Sequence, residues 1–269
     1  MVDLATFPAS LQTTAPAGRH KAVWRGLAVP ALLVFGWIAF THLHGSSQLV
    51  VPLGQILSAP FTDEAGRNLW ASLAASIARF SAGFVIGAGA GTLVGLALGM
   101  SQTADRAVSP FITALRQIAL FAWIPLLTAW FGNGESAKII YIAMSAFFPA
   151  ALNTQNGLRA ISLQHIEVAR VLRLTRRQRI TRLLLPGALP SIFIGVQIAL
   201  IGAWLGTVGA EYAMGNGQGI GTFIAQGREQ FRMDIVAVGV IALALVGYGI
   251  NFGCARIFRR LLAWQGSPS

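Results

Sequence analysis

The chain has 269 residues, a formal net charge of +11, 55% hydrophobic residues and 11% charged ones, with a mean hydropathy of +0.64. An average soluble domain is about 25% charged, so this composition excludes an ordinary soluble domain and points to an all-α polytopic membrane protein. The single cysteine, Cys254, excludes an intramolecular disulfide.

Residues 1–25 read as a cytoplasmic tail, rich in Ser, Thr, Ala and Pro over its first 18 positions. Six apolar runs follow: Gly26–Leu43, Ala82–Met100, Phe111–Phe131, Ile139–Leu152, Ala188–Ala210 and Ile235–Phe258. Most approach the ~20 residues a helix needs to cross the hydrocarbon core. The first has no small-x-small cleavage site after it, so it reads as a retained anchor. His42 and His44 near its end are a weak metal signal. The fourth is short unless Asn153 and its neighbours extend it. The segment Asn68–Ser81 places Leu69, Leu73, Ser76, Ile77 and Phe80 on one helical face. It is expected to lie at the outer surface and lead into the second span.

Charge sets the orientation. With a cytoplasmic N-terminus and alternating spans, 15 of the 20 basic residues fall inside, as the positive-inside tendency requires. Arg67, Arg79, Lys138, Arg228 and Arg232 fall outside, with Asp63, Glu64, Glu135, Glu211, Glu229 and Asp234. Six spans with both termini cytoplasmic are therefore expected. The outer cations either favour anions or pair with Glu135, Glu229 and Asp234.

In the second run Gly83, Gly87, Gly91, Gly95 and Gly99 recur at every fourth residue, on one helical face. Such a face lets another backbone approach closely in lipid. It serves tight packing or, alternatively, a seam that slides during a conformational cycle.

Several chemistries are missing. Neither lysine sits in the G-x-x-x-x-G-K-[ST] phosphate loop: Lys21 precedes Ala and Lys138 precedes Ile. The spans show no chain of acids and histidines for proton coupling. Glu211 sits at the outer end of the fifth run. No nucleophile–base set is suggested, so no enzyme is expected. Active transport would take its energy from a partner, with Glu135 and Glu211 as candidates for the translocation path. A stand-alone channel or membrane scaffold without an ATPase is the alternative.

The largest cytoplasmic loop, Asn156–Pro186, carries six arginines between Arg170 and Arg182. Ser162 can cap a first short helix with Leu163, Ile166, Ala169 and Leu172 at three-residue spacing. Thr175 and Gln178 form a T-x-x-Q capping box for a second. There Ile180, Leu183 and Leu184 share one face while Arg179 and Arg182 point away. Pro186 marks an exit from the helix at Leu185. Two short helices with a break near Arg173–Leu174 are expected. The arginines can bind anionic headgroups or frame a docking surface. Nucleic-acid stacking is disfavoured, because no aromatic residue lies between Gln164 and Leu185.

This loop resembles the EAA loop of binding-protein-dependent ABC transporter permeases, whose pattern runs E-A-A, a later Gly and then I-x-L-P. Here the residues are Glu167-Val168-Ala169, then Arg173, then Leu183-Leu184-Leu185-Pro186. Residues 71–91, 122–138, 147–157, 203–212 and 217–221 look like the sulfonate, taurine and nitrate branch. The resemblance implies a type I importer permease fold of six membrane helices, with a core over 68–258 and a coupling loop over 156–186. Residues 26–67 would be the first membrane helix and outer loop, and 259–269 a cytoplasmic tail. It implies a bacterial inner-membrane permease pair, a cytoplasmic ATPase dimer holding ATP and Mg, and an external solute-binding protein. This chain itself would bind no cofactor, metal or nucleic acid. The cargo would be a small, anionic solute. Glu167, Val168, Ala169, Arg173, Leu185 and Pro186 would couple to the ATPase. Arg173 departs from the family's usual glycine, which costs roughly 1 kcal/mol if a positive-φ turn persists.

Overall fold

The computed structural model describes Leu32, residues 35–41, Leu43, residues 51–62 and residues 64–261. The chain forms two compact units, Met1–Leu53 and Gly54–Ser269. In the first, residues 35–41 are helical and the Trp37 indole donates to the Val51 carbonyl at 3.2 Å. Apart from Leu32 and Leu43, the rest of the first apolar run lies outside the described residues, as do His42 and His44.

The elements are helices: α1 (Leu53–Thr62), α2 (Glu64–Met100), α3 (Gln102–Gln117), α4 (Ile124–Phe131), α5 (Glu135–Arg159), α6 (Leu163–Val171), α7 (Arg176–Arg179), α8 (Leu185–Met214), α9 (Ile220–Glu229) and α10 (Met233–Leu261). Among the described residues, four segments are long and apolar enough to cross a membrane: Asn68–Met100, Glu135–Arg159, Arg176–Met214 and Met233–Phe258. The pair Gln102–Gln117 and Leu120–Phe131 makes a fifth only if its 95° bend counts as one span. The core forms where α5 packs between α2 and α8. Phe80, Ile142, Ala146, Ala199 and Trp204 are buried together there.

Three boundaries are decided by the backbone. The third run is bent and not one straight helix: Ile118 adopts an extended backbone (φ −74, ψ 123) after α3, and a short 3-10 turn, Leu120–Trp123, restarts the chain. Apolarity is continuous across this point, so hydropathy does not reveal the break. The segment Asn68–Ser81 leads into the second run without a break. It belongs to the 37-residue α2, because Leu69, Leu73, Ser76 and Phe80 are buried on its inner face and only Ile77 of that set is exposed. Finally, Pro186 does not end a helix. Leu185 stays helical (φ −66, ψ −50), and its N–H bonds the Ile180 carbonyl through a π turn, Ile180–Leu184. The wider turn shifts the register just before the proline, whose missing N–H would otherwise break the ladder.

The expected extension of the fourth run is present. α5 continues through Asn153 to Arg159 with Thr154 and Gln155 buried.

Candidate functional site

The glycine face of α2 meets α5. A β-carbon at Gly87 would fall 2.1 Å from the Ala143 carbonyl oxygen, one at Gly91 2.4 Å from that of Phe147, and one at Gly95 2.3 Å from that of Ala151. Gly83 and Gly99 meet Ile142 and Leu158 side chains, each at 2.5 Å. The seam brings two backbones into direct contact, and it orients the polar ends of both helices.

At one end stands a buried ionic cluster. Glu211 of α8 is fully buried. It accepts from Arg79 Nη1 at 2.6 Å, from Ser76 Oγ, 2.8 Å from each oxygen, and from the Gly221 N–H at 3.0 Å. Ser76 Oγ in turn accepts from the Ile220 N–H at 2.8 Å. Arg79 also grips Glu135, through Nη2 to Oε1 at 2.9 Å and through Nε to Oε2. Lys138, 1% exposed, lies 3.8 Å from Glu135 and donates to the Asn216 carbonyl. Two buried cations thus face one buried carboxylate, Glu211, and one whose side chain is 57% exposed, Glu135, so the buried charges are all partnered. Gly219 is required for closeness: a β-carbon there would sit 2.4 Å from the Glu211 carboxyl carbon.

Of the outer cations read from the sequence, Arg79, Lys138 and Arg232 are therefore paired, the last with Asp234 at 2.6 Å. Arg228 lies 5.5 Å over the Tyr212 ring. Glu135 and Glu211, read as path candidates, are both held in the cluster, and neither lines the cavity described next.

That cavity, ≈ 660 Å³, lies between the α3–α4 bend, α5 and α8. Its polar lining comes from Arg116, Gln117, Tyr141, Ser145, Asn153 and Asn156. Arg116 is the one charged residue among them, and its guanidinium has no ion-pair partner among the described residues. Sequence reasoning counted Arg116 only as a cytoplasmic charge. The bend that brings it to the cavity had no signal in hydropathy.

The residues read as coupling to an ATPase lie on α6, in the turn after it and at the head of α8. Glu167 is exposed, and Val168 is 57% exposed. Ala169 is buried, so it faces the molecule and not the open side with Val168. Val171 and Leu172 add exposed apolar surface beside them. Arg173 has φ +50, so the left-handed turn persists without glycine. The Leu174 N–H bonds the Ala169 carbonyl and the Arg173 N–H that of Arg170, at 3.1 and 3.0 Å, the paired bonds of a Schellman cap. The Thr175–Gln178 capping box is fully formed. Ser162 occupies the N-cap position of α6 without a side-chain bond to the backbone. Its hydroxyl instead meets His165 Nδ1 at 2.5 Å. Leu185 is exposed and Pro186 half-buried at the head of α8.

The family model described as "Binding-protein-dependent transport system inner membrane component" matches residues 83–263. A Bacillus subtilis (strain 168) protein named for aliphatic sulfonates transport, SsuC, is 36% identical over 252 residues, covering 93% of this chain and 91% of its own. The bicarbonate transport system permease protein CmpB of Synechococcus elongatus is 31% identical over 266 residues, covering 93% and 92%. Among solved structures, inward-facing conformations of the MetNI methionine ABC transporter contain a chain 27% identical, with TM-score 0.56, covering 72% of this chain and 94% of that one.

Proposed function

The chain belongs to the family of binding-protein-dependent transport system inner membrane components, and on that premise we propose that its cargo is a small oxyanion of the sulfonate, taurine, nitrate or bicarbonate kind. It is a multi-pass membrane protein and the permease subunit of an ABC importer. The ATPase of such systems resides in a partner subunit.

The observation that carries the cargo reading is Arg116. It contributes the one charge to the lining of the 660 Å³ cavity. A cation without an acid beside it, exposed at the cavity wall, favours an anion by both field and hydrogen bonding. The amides of Asn153 and Asn156 and the hydroxyl of Tyr141 supply further donors, whereas the Ser145 hydroxyl already donates to the Ile142 carbonyl. Named relatives for aliphatic sulfonates and bicarbonate support the same class.

Our reading of the assembly is two copies of this chain in the bacterial inner membrane, both termini cytoplasmic, with an ATPase dimer below and a solute-binding protein outside. ATP and Mg belong to the ATPase. Glu167 and the exposed Val168 on α6 meet that partner, and the rigid cap at Arg173 passes its motion through α7 to α8.

Reconstitution with the ATPase and binding protein in proteoliposomes tests both halves. We expect uptake of a sulfonate, nitrate or bicarbonate and not of neutral methionine. Arg116→Gln should lower uptake about tenfold with ATPase association unchanged, and Glu167→Ala should weaken ATPase association about tenfold, the order of one charge-assisted contact. Methionine uptake, or full oxyanion uptake by Arg116→Gln, overturns the cargo reading. Unchanged ATPase association in Glu167→Ala overturns the coupling role.

A further inference from the structure

A second cavity, ≈ 620 Å³, opens where two membrane-length helices end. Met100 closes the candidate span of α2 and Arg159 that of α5, and both line the cavity. It therefore lies where two candidate membrane spans end. The other walls are the first turn of α3, which bears Asp105 and Arg106, and the coupling loop, which contributes Ile166 and Arg179.

The charge inventory is uneven. Arg106, Arg159 and Arg179 face a single acid, Asp105. That acid is already engaged: it pairs with Arg159, accepts from Gln155 Nε2 at 2.5 Å and accepts from Ser109. The guanidiniums of Arg106 and Arg179 have no ion-pair partner among the described residues. Two free cations thus stand above an apolar floor that includes Leu98, Leu158, Ile161 and Leu184.

We propose that this cavity binds the phosphate headgroup of an anionic phospholipid, gripped by Arg106 from α3 and Arg179 from α7. Guanidinium forks match phosphate oxygens geometrically. The apolar floor, continuous with the ends of two spans, offers the first acyl carbons a place that a free anion would leave empty. Basic pockets between membrane helices at this level are the usual form of headgroup sites. The bound lipid bridges the α2–α3 corner to the coupling loop, so it stiffens the support of α6.

Native mass spectrometry of the full chain in neutral detergent tests this, with phosphatidylglycerol as probe and phosphatidylcholine and inorganic phosphate as controls. The wild type should retain phosphatidylglycerol in preference to phosphatidylcholine. Removing both arginines (R106Q with R179Q) should cut that retention about thirtyfold, five- to sixfold for each basic residue at an anionic surface. The variant R256Q with R260Q, which removes the same charge elsewhere, should retain it. R106K with R179K, keeping charge without the fork, should fall between. Equal loss in both neutral pairs overturns the site in favour of a diffuse basic surface. Displacement of the lipid by millimolar phosphate overturns the lipid as ligand, and equal retention of both lipids overturns the site outright.

Discussion

Arg173 holds its backbone at φ +50, and Phe231 does the same at φ +56. Each closes a helix with the paired bonds of a Schellman cap: the Phe231 N–H reaches the Arg228 carbonyl at 3.1 Å, and the Arg232 N–H that of Gly227 at 2.8 Å. Left-handed geometry costs a residue with a β-carbon roughly 1 kcal/mol or more relative to glycine. The surrounding cap overrides that cost. Arg173→Gly should therefore stabilise the turn by about 1 kcal/mol, read as roughly fivefold slower hydrogen exchange at the Leu174 amide. Unchanged or faster exchange would show that the turn is not strained. The resemblance to a glycine-bearing loop made the Arg173 turn legible in the sequence. At Phe231 no such pattern exists, and a bulky aromatic residue is a poor advertisement for a left-handed cap.

Helix-scale features divide by range. The glycine spacing of α2 is a local pattern, so its face was readable; that the face meets α5 required the fold. The contact distances set a sharp contrast. A β-carbon at Gly87 collides with the Ala143 backbone at 2.1 Å, whereas one at Gly89 meets nothing within 4 Å. Gly87→Ala should destabilise by about 1–3 kcal/mol through overpacking. Gly89→Ala should be neutral or stabilising by up to about 1 kcal/mol through helix propensity. Thermal unfolding in detergent checks both, and equal effects would count against the seam as a packing surface. The α3–α4 bend and the π turn before Pro186 were not legible for the same physical reason. Each is a change of backbone register inside an unbroken apolar stretch, and side-chain hydropathy carries no record of it.

The fold assembles Arg79, Glu135, Lys138 and Glu211 from α2, α5 and α8, and Arg79 and Glu211 are 132 residues apart. Removing one partner of a buried pair leaves the other charge uncompensated, at a cost of about 3–5 kcal/mol. Arg79→Met should destabilise the protein by that order. Arg79→Met combined with Glu211→Met should recover most of the loss, because two apolar side chains replace the pair while Lys138 still faces Glu135. A double-mutant cycle in detergent measures the coupling; additive losses would mean that the pair does not act as a unit.

The sequence by itself determined the class of the protein, the approximate extent of its apolar helices beyond residue 68, the glycine face, the capping box at Thr175–Gln178 and the break at Arg173. All of these rest on periodicity, capping or composition within a few turns of helix. Only the tertiary structure decided that Glu211 serves a buried ion cluster and does not line the described cavity, that Arg116 turns toward that cavity, and that Arg106 and Arg179 line one cavity with no ion-pair partner among the described residues. These depend on which helices pack side by side, and burial alone turns charges distant in sequence into partners.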